Sequence, residues 1–373
     1  MSIAESLEAL KQPTSKEVAY TPKTEFDGQS GFIQTGPLSD APKKHEEILE
    51  LFGYDPKEVQ IVGNPRVSRW QTYDERWLSA YKFQLAPVAK TSVDELVKLV
   101  GRRRAHKPVG STGVGVFNFQ SGDQQLGKID GDGTEGTLAR FLDSIEVAKV
   151  EYKRLRKVRN IGGINLLFPG DHVEGVVSQG GQNIWRTELT VTEQMRLFRR
   201  MLMHTVQEFA PLTDNLWLRV LNGNHDGATR IQNTRPDDGY ATEQAIAVDD
   251  ALKMNEAAYG HVVTEVPPLD QGWMTVQSFD SIFTMAHGHQ WRRGRAMDWL
   301  ANQALHATNV SATHFLVHGH EHRWTVDTNG ARTVICSPAY DGGSNWLQNG
   351  SHGLRGGLTY VTTGPTVTDM RVV

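Results

Sequence analysis

Seven of the chain's 14 histidines, His287, His289, His306, His314, His318, His320 and His322, fall between residues 287 and 322. Imidazoles clustered this tightly suggest metal binding, and oxygen donors stand in short polar stretches elsewhere. Asp123 and Gln125 lie in Ser121-Gly122-Asp123-Gln124-Gln125, and Asp171 in Gly170-Asp171-His172-Val173-Glu174. Asn224, His225 and Asp226 follow Gly223, His287 precedes Gly288-His289, and His320 and His322 follow Gly319. Two aspartates, an asparagine and several histidines mix N and O donors suited to Mn²⁺, Fe²⁺ or Zn²⁺. The neighbouring glycines let the backbone turn tightly around an ion. Two such ions can clamp a phosphate, generate a hydroxide nucleophile and stabilise in-line displacement, so phosphoester hydrolysis is the chemistry expected.

Each donor group follows a short apolar run, over residues 114–119, 164–168, 216–221, 282–286 and 315–317. Helical spacing between them predicts a helix over 137–159, with Leu138, Phe141, Leu142, Ile145, Ala148, Tyr152 and Leu155 on one face. A second helix opens with the T-x-x-E capping box of Thr190 and Glu193, and a third lies around 297–307. Strands alternating with helices imply a layered α/β domain, in which ligands gather at the carboxyl ends of strands. Upstream, residues 1–42 are rich in Pro, Gly, Ser, Thr and charge without a period and read as a loose arm. Residues 43–112 read as a small N-terminal α+β module, with a helix over 45–52, extended aromatic segments over 67–85 and a helix over 92–104. Residues 113–373 form the expected catalytic domain.

With 38% hydrophobic and 22% charged residues over 373 positions, the chain can bury a sizeable core, which excludes general disorder. A formal charge of −4 excludes a strongly basic protein but leaves room for local basic patches. The single cysteine, Cys336, permits no intramolecular disulfide and favours a reducing compartment. There is no apolar signal-like run near Met1 and no stretch of about 18 apolar residues, so no signal peptide, membrane span or membrane partner is expected. The expected location is the cytoplasm, or the host cytoplasm for a viral protein.

The five stretches together resemble the calcineurin-like metallophosphoesterase superfamily, whose pattern runs D-x-H, G-D-x-x-D/E, G-N-H-D/E, a lone H and G-H-x-H. Here the order is Asp123-x-Gln125, Gly170-Asp171-x-x-Glu174, Gly223-Asn224-His225-Asp226, His287 and Gly319-His320-x-His322. The resemblance covers residues 114–330 and implies a four-layer α/β/β/α sandwich holding two divalent metals, with Mn²⁺ expected and Fe²⁺, Zn²⁺ or Mg²⁺ as alternatives. It implies that Asp171 bridges both ions, with Asp123 and His322 on one and Asn224, His287 and His320 on the other. His225 would stabilise or protonate the leaving oxygen, Asp226 would position its imidazole, and a metal-activated water would attack. Gln125 replaces the family's histidine; a neutral amide oxygen is a weaker, harder ligand that points the first position towards Mn²⁺ or Mg²⁺ rather than Zn²⁺.

Cations and an aromatic ring next to the histidines bear on substrate. Trp291, Arg292 and Arg293 follow His287 and His289 directly, and Arg323 follows His322. Arginine forks and aromatic faces suit phosphates and bases, so these residues, with His289, are candidate contacts for nucleic acid. The expectation is a DNA exo- or endonuclease-like phosphodiesterase, similar to the SbcD-type nuclease branch and to phosphoesterases of bacteriophages, with a homodimer as the assembly such nucleases imply. The alternatives are a phosphomonoesterase, protein phosphatase or small-nucleotide hydrolase, and a non-catalytic binding protein on a degenerate phosphoesterase fold.

Overall fold

The computed structural model describes residues 22–28, 30–40, 42, 44–87, 96, 98, 100, 107–178, 181, 183, 186–229, 235–343 and 354–373. The chain divides into two compact units, Met1–Lys90 and Thr91–Val373.

In the first unit, strands β1 (Lys23–Phe26), β2 (Gly31–Gln34), β3 (Val59–Gln71) and β4 (Trp77–Pro87) form an antiparallel sheet in the order β1-β2-β4-β3. Ile33, Val59, Phe83 and Leu85 pack with Ile48 and Leu49 of helix α1 (His45–Leu51). Gly53, at φ +85°, closes the turn after α1, where a side chain would strain the backbone. Residues 23–26 and 31–34 lie in the segment expected to be a loose arm, yet both are sheet strands. Each is four residues long, too short to display an alternation, and β2 owes its place to pairing with β4, with Gly31 opposite Leu85. The unit boundary at 90/91 also differs from the expected one at 112/113. Of the helix expected over 92–104, residues 96, 98 and 100 are helical and the rest lie outside the described residues.

The second unit holds two sheets. Strands β5 (Gly115–Gln120), β6 (Ile161–Phe168), β7 (Leu216–Val220) and β8 (Val262–Glu265) run parallel, and β14 (Leu358–Thr363) and β15 (Thr366–Val372) add antiparallel at the β5 edge. β5 and β6 are buried at every position, as parallel strands covered on both faces must be. The second sheet has the order β12-β13-β11-β10-β9, built from β9 (Trp273–Ser278), β10 (Ser281–Ala286), β11 (Phe315–His318), β12 (Thr325–Asn329) and β13 (Arg332–Cys336).

Three apolar layers join these elements. Leu167, Leu221, Met285, Phe315, Val317 and Tyr360 fill the space between the sheets. The other face of the six-stranded sheet packs through Phe117, Ile164 and Leu218 against Phe141, Phe198 and Val248 of helices α2 (Gly133–Leu155), α3 (Val191–Phe209) and α4 (Tyr240–Lys253). A four-residue helix α5 (Glu256–Tyr259) leads into β8. Leu316 and Val334, on the outer face of the five-stranded sheet, meet Leu300 of α6 (Ala296–His306) and Val310 of α7 (Thr308–Ser311). The result is a four-layer α/β/β/α sandwich. The capping box at α3 is present: Thr190 Oγ1 accepts the Glu193 N–H and Glu193 Oε2 accepts the Thr190 N–H. α2 starts four residues earlier than its apolar spacing suggests and stops at Leu155, before Arg156, Lys157 and Arg159. No helix among the described residues is long and apolar enough to cross a membrane.

Candidate metal centre and active site

Parallel alignment puts the loops after β5, β6 and β7 side by side at one end of the six-stranded sheet. The loops after β10 and β11, also parallel neighbours, arrive from the second sheet. Five donor-bearing segments therefore converge. The ligating atoms of Asp171, His287 and His320 lie within 4.8 Å of one another. Asp171 Oδ2 stands 3.0 Å from His287 Nε2, whose other ring nitrogen is fixed by the Pro169 carbonyl at 2.8 Å. Asn224 Oδ1 is buried with no hydrogen-bond partner among the described residues, and the residue lines the same pocket as Asp171 and His320, which leaves its oxygen open to a cation. Asp123, fully buried, accepts the His320 N–H at 3.0 and 2.9 Å and faces His322 Nε2 at 3.6 Å.

The backbone is bent to make this possible. Asp123, Gln125, Asp171, His320 and His322 all have φ between +43° and +68°, five of the nine non-glycine residues with positive φ among the described residues. Each such conformation costs on the order of 1–3 kcal/mol unless its surroundings enforce it. Gly223 and Gly319 allow the approach, because a Cβ on either would stand within 2.0 and 2.4 Å of the Asp171 and Asp123 carboxylates.

Asp226 enforces part of this bend. Its Oδ2 accepts the N–H of Asp171 at 2.8 Å and of Gly223 at 2.7 Å, while Oδ1 accepts those of His172 and Val173 at 3.0 and 3.1 Å. The expectation that Asp226 orients the His225 imidazole is therefore corrected, since its carboxylate is spent on backbone. Glu174 orients that ring: His225 Nδ1 lies 3.2 Å from the Glu174 carbonyl and 3.4 Å from Oε2. His225 also donates its backbone N–H to Asp171 Oδ1 at 2.8 Å, and the residue lines a pocket of about 350 Å³ together with Lys128, Arg186, Asn224 and His320.

Charge in the site is strongly coupled. Burial opposes a charge on His225, but the Asp171 and Glu174 carboxylates outweigh it and raise the imidazole to about 10. Burial likewise opposes the charge on His287, and Asp171 with Asp123 lifts it to about 9. Burial works against ionised Asp171 too, yet these two imidazoles hold it well below the usual carboxylate range. Burial and the neighbouring His287 push His289 and His320 down to about 4, which leaves His320 neutral and ready to ligate. A dication at Asp171, Asn224, His287 and His320 suits this donor set: it would take the place of the His287 proton, and it would satisfy the stranded amide oxygen.

Gln125 does not present its oxygen to an ion. Gln125 Oε1 accepts from Lys128 Nζ at 2.7 Å, and the same ammonium reaches Asp341 Oδ2 at 2.5 Å. Asp341 Oδ1 in turn faces His322 Nδ1 at 3.5 Å. Sequence reading missed Lys128, Asp341 and Arg186; only Lys128, three residues from Gln125, lies near a motif.

Among the expected substrate contacts, Trp291 is removed from the rim. Its ring packs 4.8 Å from Trp299 and 5.3 Å from His318, partly buried against the outer helix layer, so it cannot stack on a base. Arg323 and Arg293 both approach Glu321, at 2.7 and 3.5 Å, and Arg292 is exposed. His289 lies beside two of the candidate ligands, its ring 5.6 Å from His287 and 6.3 Å from His320. His172 takes a packing role, stacked 4.4 Å from Phe198 with Nδ1 2.5 Å from Gln124 Oε1.

The chain matches no protein-family profile and no curated protein. Among solved structures it is similar to an archaeal phosphodiesterase at 11% identity, covering 69% of this chain and 99% of that one, with a TM-score of 0.33. It is also similar to a predicted phosphoesterase of Streptococcus pneumoniae at 12% identity, covering 68% and 83% with a TM-score of 0.27. A third similar structure is the vacuolar protein sorting protein 29 of Entamoeba histolytica complexed with Zn²⁺, at 12% identity, covering 68% and 98% with a TM-score of 0.31. Likeness this slight leaves the substrate to be argued from the side chains of this chain.

Proposed function

We propose that this chain is a metal-dependent phosphodiesterase acting on nucleic acid. The observation that carries the reading is the convergence of Asp171, His287 and His320, with Asn224 and His225 lining the same pocket as Asp171 and His320. A divalent ion held there would polarise a phosphoryl oxygen and supply the nucleophile at neutral pH. His225, its Nδ1 pinned by Glu174, directs Nε2 at the pocket, where it donates a proton to the leaving oxygen. Asp226 keeps the loops of Asp171 and Gly223 in register, and Lys128 and Arg186 offer cationic donors to the phosphate. Preference for a polymer is supported by the exposed Arg292 and Arg293 and the partly exposed Arg323 beside the ligand loops, which suit a run of phosphates better than a single one. Mn²⁺ is the expected ion and a homodimer the expected assembly.

The test compares linear DNA, circular DNA, a bis-aryl phosphate and a mono-aryl phosphate with the Mn²⁺-loaded protein. Cleavage of DNA and of the diester is expected. Turnover of the monoester alone would refute the nuclease reading.

A further inference from the structure

The two expected metal positions are built differently. Around one, three ligating atoms already converge and an amide oxygen waits without a partner. Around the other, Gln125 Oε1 is taken by Lys128, and both oxygens of Asp123 receive the His320 N–H. The Lys128–Asp341 pair is no rim contact, for the two side chains are only 11% and 8% exposed. Separating such a pair would strand a charge away from water.

We propose that this chain holds a single-metal centre, in which the Lys128 ammonium supplies the positive charge that a second ion would otherwise bring. The inference rests on the metal-dependent reading above and narrows it. Lys128 Nζ is held by Asp341 Oδ2 at 2.5 Å and Gln125 Oε1 at 2.7 Å, so a fixed, buried cation already stands beside the second position. A dication placed there would face that ammonium at close range in a low dielectric, where like charges repel strongly. Gln125 completes the arrangement: an amide oxygen accepts a bond from an ammonium, whereas the family's histidine in that place would compete to bind an ion. Lys128 Nζ lines the same pocket as His225, so it is placed to hold a phosphoryl oxygen.

Metal counting on the full chain tests this without any assay of turnover. Protein stripped with a chelator, reloaded with excess Mn²⁺ and desalted is expected to retain one Mn²⁺ per chain, with the EPR spectrum of an isolated ion. Asp171→Asn and His287→Ala should lose it, and His322→Ala should keep it. Lys128→Met combined with Gln125→His, which removes the ammonium and restores an imidazole, should raise the count to two with an exchange-coupled spectrum. Two coupled ions in the unaltered chain would overturn the inference, as would one ion lost on His322→Ala but retained on His287→Ala. Two ions accompanied by diester cleavage would leave the phosphodiesterase reading intact. One ion at the expected position with no cleavage of any diester would overturn that reading and leave the single-metal centre standing.

Discussion

Asp226→Asn separates a backbone-organising carboxylate from one that works through an imidazole. The substitution keeps shape and volume but turns one accepting oxygen into an NH₂ group, which cannot accept from the two N–H groups that oxygen now serves. Either choice of oxygen strands two buried donors: Asp171 and Gly223 on one side, His172 and Val173 on the other. Leaving a buried donor unsatisfied costs about 1–3 kcal/mol, so the loss is about 2–6 kcal/mol, a large part of the roughly 5–15 kcal/mol that holds a domain folded. Urea unfolding monitored by circular dichroism should show the midpoint falling by about 0.7–2 M at the slope of about 3 kcal/mol/M found at the upper end for small proteins. Mn²⁺ affinity should fall with it, because Asp171 loses the bonds that hold it in its left-handed conformation. A variant with wild-type midpoint and metal affinity but slow turnover would refute this reasoning and return Asp226 to the role of orienting His225.

His225→Ala should retain the metal, measured by elemental analysis, and slow diester hydrolysis by about 10²–10⁴-fold; an unchanged rate would remove His225 from the mechanism. Glu174→Gln removes one of the two carboxylates that hold the His225 proton, so the alkaline limb of kcat/KM against pH should move to lower pH, and a fixed limb would exclude this pairing. Burial holds His172 at about 3 and His318 at about 4, below the ~6.5 of an unfolded chain, so the unfolded state takes up these protons first. The metal-free protein should therefore lose stability as pH falls below about 6.5, an effect that Asp123 and Asp226, whose burial holds their carboxyls up at about 6, offset only in part. His225 and His287 work in the opposite sense, but their contribution is complete below about 6.5 and is lost only as pH rises through about 9–10. Urea midpoints at about pH 7 and pH 5 measure the effect, and a midpoint that held or rose on acidification would contradict it.

The four-layer sandwich was readable because its strands are short apolar runs that each end in a polar, glycine-flanked stretch. Local spacing located Asp123, Asp171, Asn224, His287, His320 and His322 at the ends of five strands that the topology brings together. What the sequence concealed depends on partners far along the chain. Asp341 faces His322 from beyond β13, in a segment with no motif around it, and Lys128 looks like any surface lysine until Gln125 and Asp341 are seen to hold it. Glu174 and Asp226 both sit in motifs, but which carboxylate meets the imidazole and which meets backbone is settled only by the path of the loops. Trp291 misled because an aromatic ring beside arginines reads alike whether it stacks on a base or on Trp299. β1 and β2 were hidden in a polar segment because β2 is held by pairing with β4 and β1 by pairing with β2.

The left-handed backbone at Asp123, Gln125, Asp171, His320 and His322 also sets how this protein answers selection. Glycine or asparagine at such positions relieves backbone strain, so a screen that rewards heat tolerance alone would be drawn to the donor loops. Variants recovered at Asp171 or His320 would be sturdier and unable to hold an ion. Survivors of a joint screen for stability and turnover should instead gather on the outer helix layer and the first unit, and the empty positions in their substitution map would trace the active site.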